Sequence, residues 1–252
     1  MREVSPPGSR MVRIAAIHHR PRNMENSSQS RKSFEPHIIS AGEKGADIVC
    51  LPEGITIAGT SLNYVEVSEP IPGPSTEYLG GLAKEYDMYI VAGIYEKEGP
   101  VVYNTSVLIG RDGILKGKYR KTALPREEID GGITPGNEYP VFDTDFGRIG
   151  MMICWDVFFP EVARQISLNG AEIIFMPIWG GDLTLSKARA IENQIYLISS
   201  TYDMKTGIFD KTGNLIAEGT EDNPLAIADI DLNEREIWWW LGEFRNRIKR
   251  ER

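Results

Sequence analysis

Cys154 stands at the end of the apolar run Ile149-Gly150-Met151-Met152-Ile153 and is followed by Trp155-Asp156-Val157-Phe158-Phe159-Pro160-Glu161. That order predicts a strand, an abrupt turn and the start of a helix. A thiol on such a turn projects beyond the sheet. Backbone N–H groups beside it can stabilise a thiolate and, later, an oxyanion. The structural alternative is a buried core cysteine, because free Cys behaves as a small hydrophobe. Two further residues occupy comparable settings. Glu53 follows the continuous apolar run Asp47-Ile48-Val49-Cys50-Leu51, and Lys121 ends Lys118-Tyr119-Arg120-Lys121. In α/β sheets, groups at strand ends converge on the ligand crevice. A carboxylate, an ammonium and a thiol meeting there would supply a base, an oxyanion stabiliser and a nucleophile. The three histidines, His18, His19 and His37, all lie near the N-terminus. A Cys–His pair is therefore poorly supported, and Glu53 is the better base.

The elements that must position these groups can be read from hydrophobic periodicity. Val12–Ile17 reads as a first strand. Ser27–Glu43 reads as a helix that Pro36 should kink or interrupt. Asp47–Leu51 is a strand of the buried type, and Ser75–Tyr86 a helix with Tyr78, Leu79, Leu82 and Ala83 on its apolar face. Met88–Tyr95, Val101–Ile109 and Ile114–Lys121 are strands, the last two joined by a turn at Arg111-Asp112-Gly113. Thr122–Tyr139 lacks periodicity and reads as a long loop of the kind that often carries function. Strands at Val141–Thr144 and Arg148–Ile153 follow, then a helix from Phe159 to Leu168. Strand Glu172–Ile178, helix Leu183–Gln194 and strand Tyr196–Thr201 repeat the alternation. Short strands at Gly207–Asp210, Leu215–Glu218 and Leu225–Ile230 close the chain. Strand–helix alternation with added hairpins implies one α/β domain over residues 1–252, with residues 1–11 a disordered leader and 233–252 a C-terminal tail.

The chain resembles the nitrilase (carbon–nitrogen hydrolase) superfamily. The matching segments are Gly45-Ala46-Asp47…Leu51-Pro52-Glu53, Tyr119-Arg120-Lys121 and Cys154-Trp155-Asp156…Phe159-Pro160-Glu161. Asn169-Gly170-Ala171-Glu172-Ile173-Ile174 and Arg189-Ala190-Ile191-Glu192-Asn193 extend the match, in the family's order. The resemblance implies a four-layer α-β-β-α sandwich and a Glu53-Lys121-Cys154 triad without metal or organic cofactor. It implies hydrolysis of a non-peptide C–N bond, and dimers or larger homo-oligomers. It also implies a second glutamate in the loop after the lysine. Glu127 and Glu128 compete for that place, and spacing favours Glu128. Trp155 and Trp179 are expected to line the substrate pocket, Trp155 also lending its backbone N–H to the oxyanion. Asp156 after Cys154-Trp155 matches amidase-like branches and inclines the reading to a small linear amide or N-carbamoyl substrate over a nitrile. Transfer of the acyl group to an amine, or a non-catalytic scaffold role, are the alternatives. Ala123 departs from the family, standing where many relatives carry His, and the segment from Tyr202 to Gly207 looks short.

Composition sets the remaining bounds. The chain is 41% hydrophobic and 25% charged, which is ordinary for a globular protein. A net charge of −8 argues against nucleic acid as a partner, because phosphate binding needs basic surface. No apolar stretch is long enough to cross a membrane, and the N-terminus lacks a signal peptide's apolar run. Two cysteines without a close-spaced pair give no disulfide framework and point to a reducing cytoplasm. Cys50 reads as core. Trp238-Trp239-Trp240 is expected to pack on the body or on a partner subunit, and the tail from Arg245 to Arg252 to be solvated. Arg189 and Glu192 are expected to support the cysteine turn.

Overall fold

A computed structural model describes residues 10–203, 205–248 and 250. The expected leader falls mostly on residues 1–9, outside the described residues. Arg10 and Met11 belong to the fold instead. Arg10 pairs with Glu172 at 2.8 Å, and Met11 opens the first strand. The chain forms β1 (Met11–Ile17), α1 (Ser27–Lys32), α2 (Glu35–Glu43), β2 (Ile48–Cys50), α3 (Tyr64–Val67), α4 (Pro74–Glu85), β3 (Tyr89–Glu98), β4 (Val101–Ile109) and β5 (Leu115–Arg120). It continues with α5 (Arg126–Asp130), β6 (Val141–Asp143), β7 (Arg148–Met151), a 3-10 turn (Cys154–Phe158), α6 (Pro160–Leu168), β8 (Ile173–Pro177) and α7 (Leu183–Asn193). Strands β9 (Tyr196–Ser200), β10 (Thr206–Phe209), β11 (Leu215–Gly219) and β12 (Leu225–Asp231) follow, before a terminal hairpin β13 (Ile237–Trp238), β14 (Gly242–Glu243) and helix α8 (Phe244–Ile248).

Two six-stranded sheets result, ordered β12-β1-β2-β3-β4-β5 and β11-β10-β9-β8-β7-β6. Each has a parallel centre, β1-β2-β3 and β7-β8-β9, with antiparallel flanks. Period-2 alternation explains the layering. Ile14 and Ala16 join the cluster between the sheets, with Ile149, Met151 and Phe175 from the other sheet. Ala15 and Ile17 point the other way, into a cluster with Phe34, Ile38 and Leu79 from the helical layer. Helices α6 and α7 cover the second sheet, and Val162, Ala163, Ile166 and Ala190 are buried there. The result is the α-β-β-α sandwich. Cys50 is fully buried between the sheets. No described helix is long and apolar enough to cross a membrane.

Local chemistry sets several boundaries. The expected Ser27–Glu43 helix is two helices broken at Ser33-Phe34. Pro36 has no N–H to bond and sits in the first turn of α2, where none is needed. The expected featureless loop at 122–139 contains α5, a helix of five residues, too short to leave a periodic signature. Strand β7 ends at Met151, not at the cysteine, and Cys154 adopts a left-handed φ of 43° at the head of the 3-10 turn. The tail departs most. Arg245 donates to the carbonyls of Gln194 and Ala171 and is not solvated; Trp239 is 91% and Trp240 62% exposed on the chain itself, which leaves the partner-subunit half of the expectation for the tryptophan run. Trp238 stacks on Phe244 of α8 at 4.5 Å, with the Trp240 ring 5.1 Å away.

Candidate active site

Glu53, Lys121, Glu128 and Cys154 line one cavity of about 710 Å³. Glu53 leaves β2 through Leu51-Pro52, and its turn is held by Gly93 of β3. The Gly93 N–H donates to the Pro52 carbonyl at 3.2 Å, and a Cβ there would sit 2.7 Å from the Glu53 Cα. Lys121 follows β5, its N–H donating to the Asn104 carbonyl at 2.9 Å. Cys154 is set by the 3-10 turn, and Asp156 is the latch of that turn. Fully buried, Asp156 accepts from the Ile153 N–H at 2.8 Å, the Tyr119 hydroxyl at 2.7 Å and the Ala123 N–H at 2.9 Å. Thus Ala123 serves through its backbone. Arg189 supports the same turn through a 3.0 Å bond to the Val157 carbonyl, and pairs with Glu192 at 3.0 Å.

The polar groups form a closed network. Lys121 Nζ lies 2.9 Å from Glu53 Oε1 and 2.9 Å from Glu128 Oε2. Asn104 Nδ2 donates to Glu53 Oε1 at 2.6 Å and to Glu128 Oε1 at 2.7 Å. The Trp179 N–H donates to Glu53 Oε2 at 3.0 Å, and Cys154 shares the cavity lining with Glu53 and Trp179. The Tyr202 hydroxyl donates to the Glu53 carbonyl at 2.8 Å. Lys121 is 1% exposed, and such a charge is tolerable only with partners. Burial alone would lower its pKa, but Glu53, Cys154 and Glu128 together raise it, so it stays an ammonium.

The same environment protonates the thiol. Burial, then the Glu53 charge, pushes Cys154 up to about 12 against the opposing pull of Lys121. At neutral pH Cys154 is therefore a thiol, not the thiolate that a helix N-terminus would favour. Its turn is too short to supply a substantial dipole. Burial likewise pushes Glu128 up to about 7, helped by Glu53 and opposed by Lys121.

Glu128 is buried against Lys121, whereas Glu127 is exposed at the cavity mouth. Trp155 and Trp179 both line the cavity, with the Phe158 ring 4.4 Å from that of Trp155 and tilted by 31°. His18 and His19 do not reach the lining. His19 packs against Phe34 and His37. Asn104 is the member that sequence reasoning missed. Its signal was a polar triplet, Asn104-Thr105-Ser106, in a strand whose neighbours Val107-Leu108-Ile109 are all apolar and buried.

The chain matches the carbon-nitrogen hydrolase family over residues 13–238. It belongs to that family. The chain is 32% identical to omega-amidase NIT2 of Xenopus tropicalis over 237 residues, with 84% of each chain covered. It is 37% identical to a nitrilase of Pyrococcus abyssi over 247 residues, 88% of this chain and 90% of the other. Its fold matches an amidase from Nesterenkonia sp. AN1, solved with the acetamide moiety of fluoroacetamide covalently added at its active-site cysteine. That match has a TM-score of 0.79 at 22% identity and covers 92% and 94% of the two chains. Family membership and fold make the four-layer sandwich the scaffold on which this carbon–nitrogen hydrolase holds its cavity.

Proposed function

We propose that the chain hydrolyses a small linear amide or N-carbamoyl compound through a thioester on Cys154. The observation that carries this reading is the single cavity lined by Cys154, Glu53 and Lys121, in which Glu53 Oε1 lies 2.9 Å from Lys121 Nζ. Glu53 removes the thiol proton as sulfur attacks the carbonyl carbon. Lys121 and the Trp155 N–H hold the oxyanion. Glu53 then gives its proton to the departing nitrogen, so ammonia or amine leaves and the thioester remains. Water enters, Glu53 takes its proton, and the hydroxide adds to the thioester. The sulfur leaves and recovers the proton from Glu53. Glu128 keeps Lys121 in place throughout, and Trp155 and Trp179 wall the acyl group. The Nesterenkonia amidase, with a covalent adduct on its own active-site cysteine, supports this assignment.

The high proton affinity of Cys154 suits this sequence of steps, because proton transfer and attack then occur together and no reactive thiolate waits in the empty cavity. Both cysteines are free, which fits a reducing cytoplasm, the compartment we assign. A homodimer or larger homo-oligomer is the assembly that would cover the exposed tryptophans. The test is intact-mass analysis of the protein mixed with small amides and carbamoyl compounds. An acyl mass gain on Cys154 that is absent in Cys154→Ala is the expected result. Turnover that persists in Cys154→Ala would end the proposal.

A further inference from the structure

One wall of the cavity is built from two tyrosines. Tyr64 of α3 and Tyr95 of β3 face each other with ring centroids 4.8 Å apart. Tyr95 is 3% exposed and lines the cavity, and among the described residues no hydrogen bond engages its hydroxyl or that of Tyr64. The other buried tyrosines around the site are committed. Tyr119 donates to Asp156, and Tyr202 to the Glu53 carbonyl. The Tyr95 oxygen is not one of the sealed unpartnered polar atoms, so the ring is buried while its hydroxyl opens onto the cavity, where a ligand can take the hydrogen bond. The Tyr95 hydroxyl lies beside the catalytic turn: a Cβ on Gly54 would come 3.6 Å from its oxygen.

The charge pattern says what this wall can take. The cavity's two cations are engaged, Lys121 with Glu53 and Glu128, and Arg20 with Asp203. The carboxylates Glu53, Glu127 and Glu128 outnumber them along the lining. A further anion would meet a negative field and no uncommitted cation. Burial, then the charges of Glu53 and Glu128, hold the Tyr95 phenol well above its ordinary value, and Tyr64 is pushed up to about 12 mainly by burial. Both therefore remain donors at neutral pH.

We propose that Tyr95, with Tyr64 beside it, donates a hydrogen bond to an uncharged oxygen on the substrate's acyl chain. The preferred substrates are then neutral amides carrying a hydroxyl, ether or keto oxygen, over plain aliphatic amides and over amides that carry a carboxylate. This deepens the hydrolase reading and rests on it.

The test uses the full-length protein and three amides of equal chain length: butanamide, 4-hydroxybutanamide and the succinamate anion. The expected order of kcat/KM is 4-hydroxybutanamide, butanamide, succinamate, with about tenfold between the first two, as one hydrogen bond allows. Tyr95→Phe keeps the ring and its stacking on Tyr64. It should erase the hydroxyl advantage through KM, so that 4-hydroxybutanamide is turned over no better than butanamide. Tyr64→Phe, as a second variant, should move the ratio in the same direction. An equal loss on all three amides, or a wild-type preference for succinamate, overturns the inference alone. No turnover and no acylation of Cys154 with any of the three would overturn the hydrolase reading, and the inference with it.

Discussion

At the scale of single residues, the site combines a buried ammonium, two carboxylates and a thiol whose proton is held tightly. Lys121 is expected to stabilise the oxyanion, and loss of one such donor costs about 3 kcal/mol. Steady-state kinetics of Lys121→Ala should therefore show kcat reduced by about two to three orders of magnitude. The Cys154 thiol titrates near 12 because it is buried beside Glu53. Alkylation by iodoacetamide in the empty enzyme should thus keep rising with pH beyond 10, without a plateau near neutrality. A plateau below pH 8 would show a preformed thiolate and contradict the general-base step. Glu128 offers a stability test. Its carboxyl is pushed up to about 7 from its ordinary 4.5. The native state therefore holds a proton that the unfolded chain has lost, so its stabilising effect is complete below pH 4.5 and is lost as pH rises through 7. Glu128→Gln keeps one acceptor oxygen, in the place of the Oε1 that takes bonds from both Asn104 and Lys121, but cannot titrate. Melting curves should show a smaller loss of stability between pH 5 and pH 8 in that variant than in the wild type.

At the scale of elements, the site depends on how closely β3 passes beneath the Glu53 turn. Gly93 leaves no room for a side chain: a Cβ would lie 2.7 Å from the Glu53 Cα and 3.0 Å from the Gly54 N. Gly93→Ala must push the strand or the turn aside, at about 1–3 kcal/mol by analogy with overpacked cores. Denaturant titration should register that cost, and kcat should fall with it because Glu53 moves relative to Cys154. Unchanged kcat in a destabilised Gly93→Ala would mean that the Glu53 position tolerates more displacement than the geometry implies. On the opposite side, Asp156 ties the cysteine turn to Tyr119 on β5 and to the Ala123 backbone just beyond it. Lys121, between them, is thereby fixed relative to the sulfur. Lys121 and Cys154, two members of the proposed triad, share one carboxylate as their common brace.

At the scale of the whole molecule, the two sheets present Glu53 and Lys121 from one layer and Cys154 from the other, so the cavity exists only when the sheets are packed. The same packing leaves Ile237 67%, Trp239 91% and Trp240 62% exposed at the C-terminal hairpin. An apolar surface of that kind usually marks an interface. Light scattering should give a mass of two or more chains, and Trp239→Ala with Trp240→Ala should shift it toward the monomer. A monomeric wild-type protein at micromolar concentration would remove the oligomer from the proposal.

The sequence by itself determined most of the elements and the candidate triad. Alternating and continuous apolar runs depend only on local side-chain direction, so strands such as Val101–Ile109 were readable to the residue. Glu53, Lys121 and Cys154 were recognisable because each ends such a run with a reactive group in a family-like setting. Short or non-local features escaped. The five-residue α5 that buries Glu128 spans little more than one helical turn, too few residues for a periodic pattern to show, and the break at Ser33-Phe34 needed the position of Pro36 within a turn. Only the tertiary structure decided that Asn104 bridges two carboxylates, that Cys154 rests as a thiol, and that Tyr95 keeps an uncommitted hydroxyl. Each of these depends on which groups meet in a low-dielectric cavity, and chain order does not encode the distance between residues drawn from different strands.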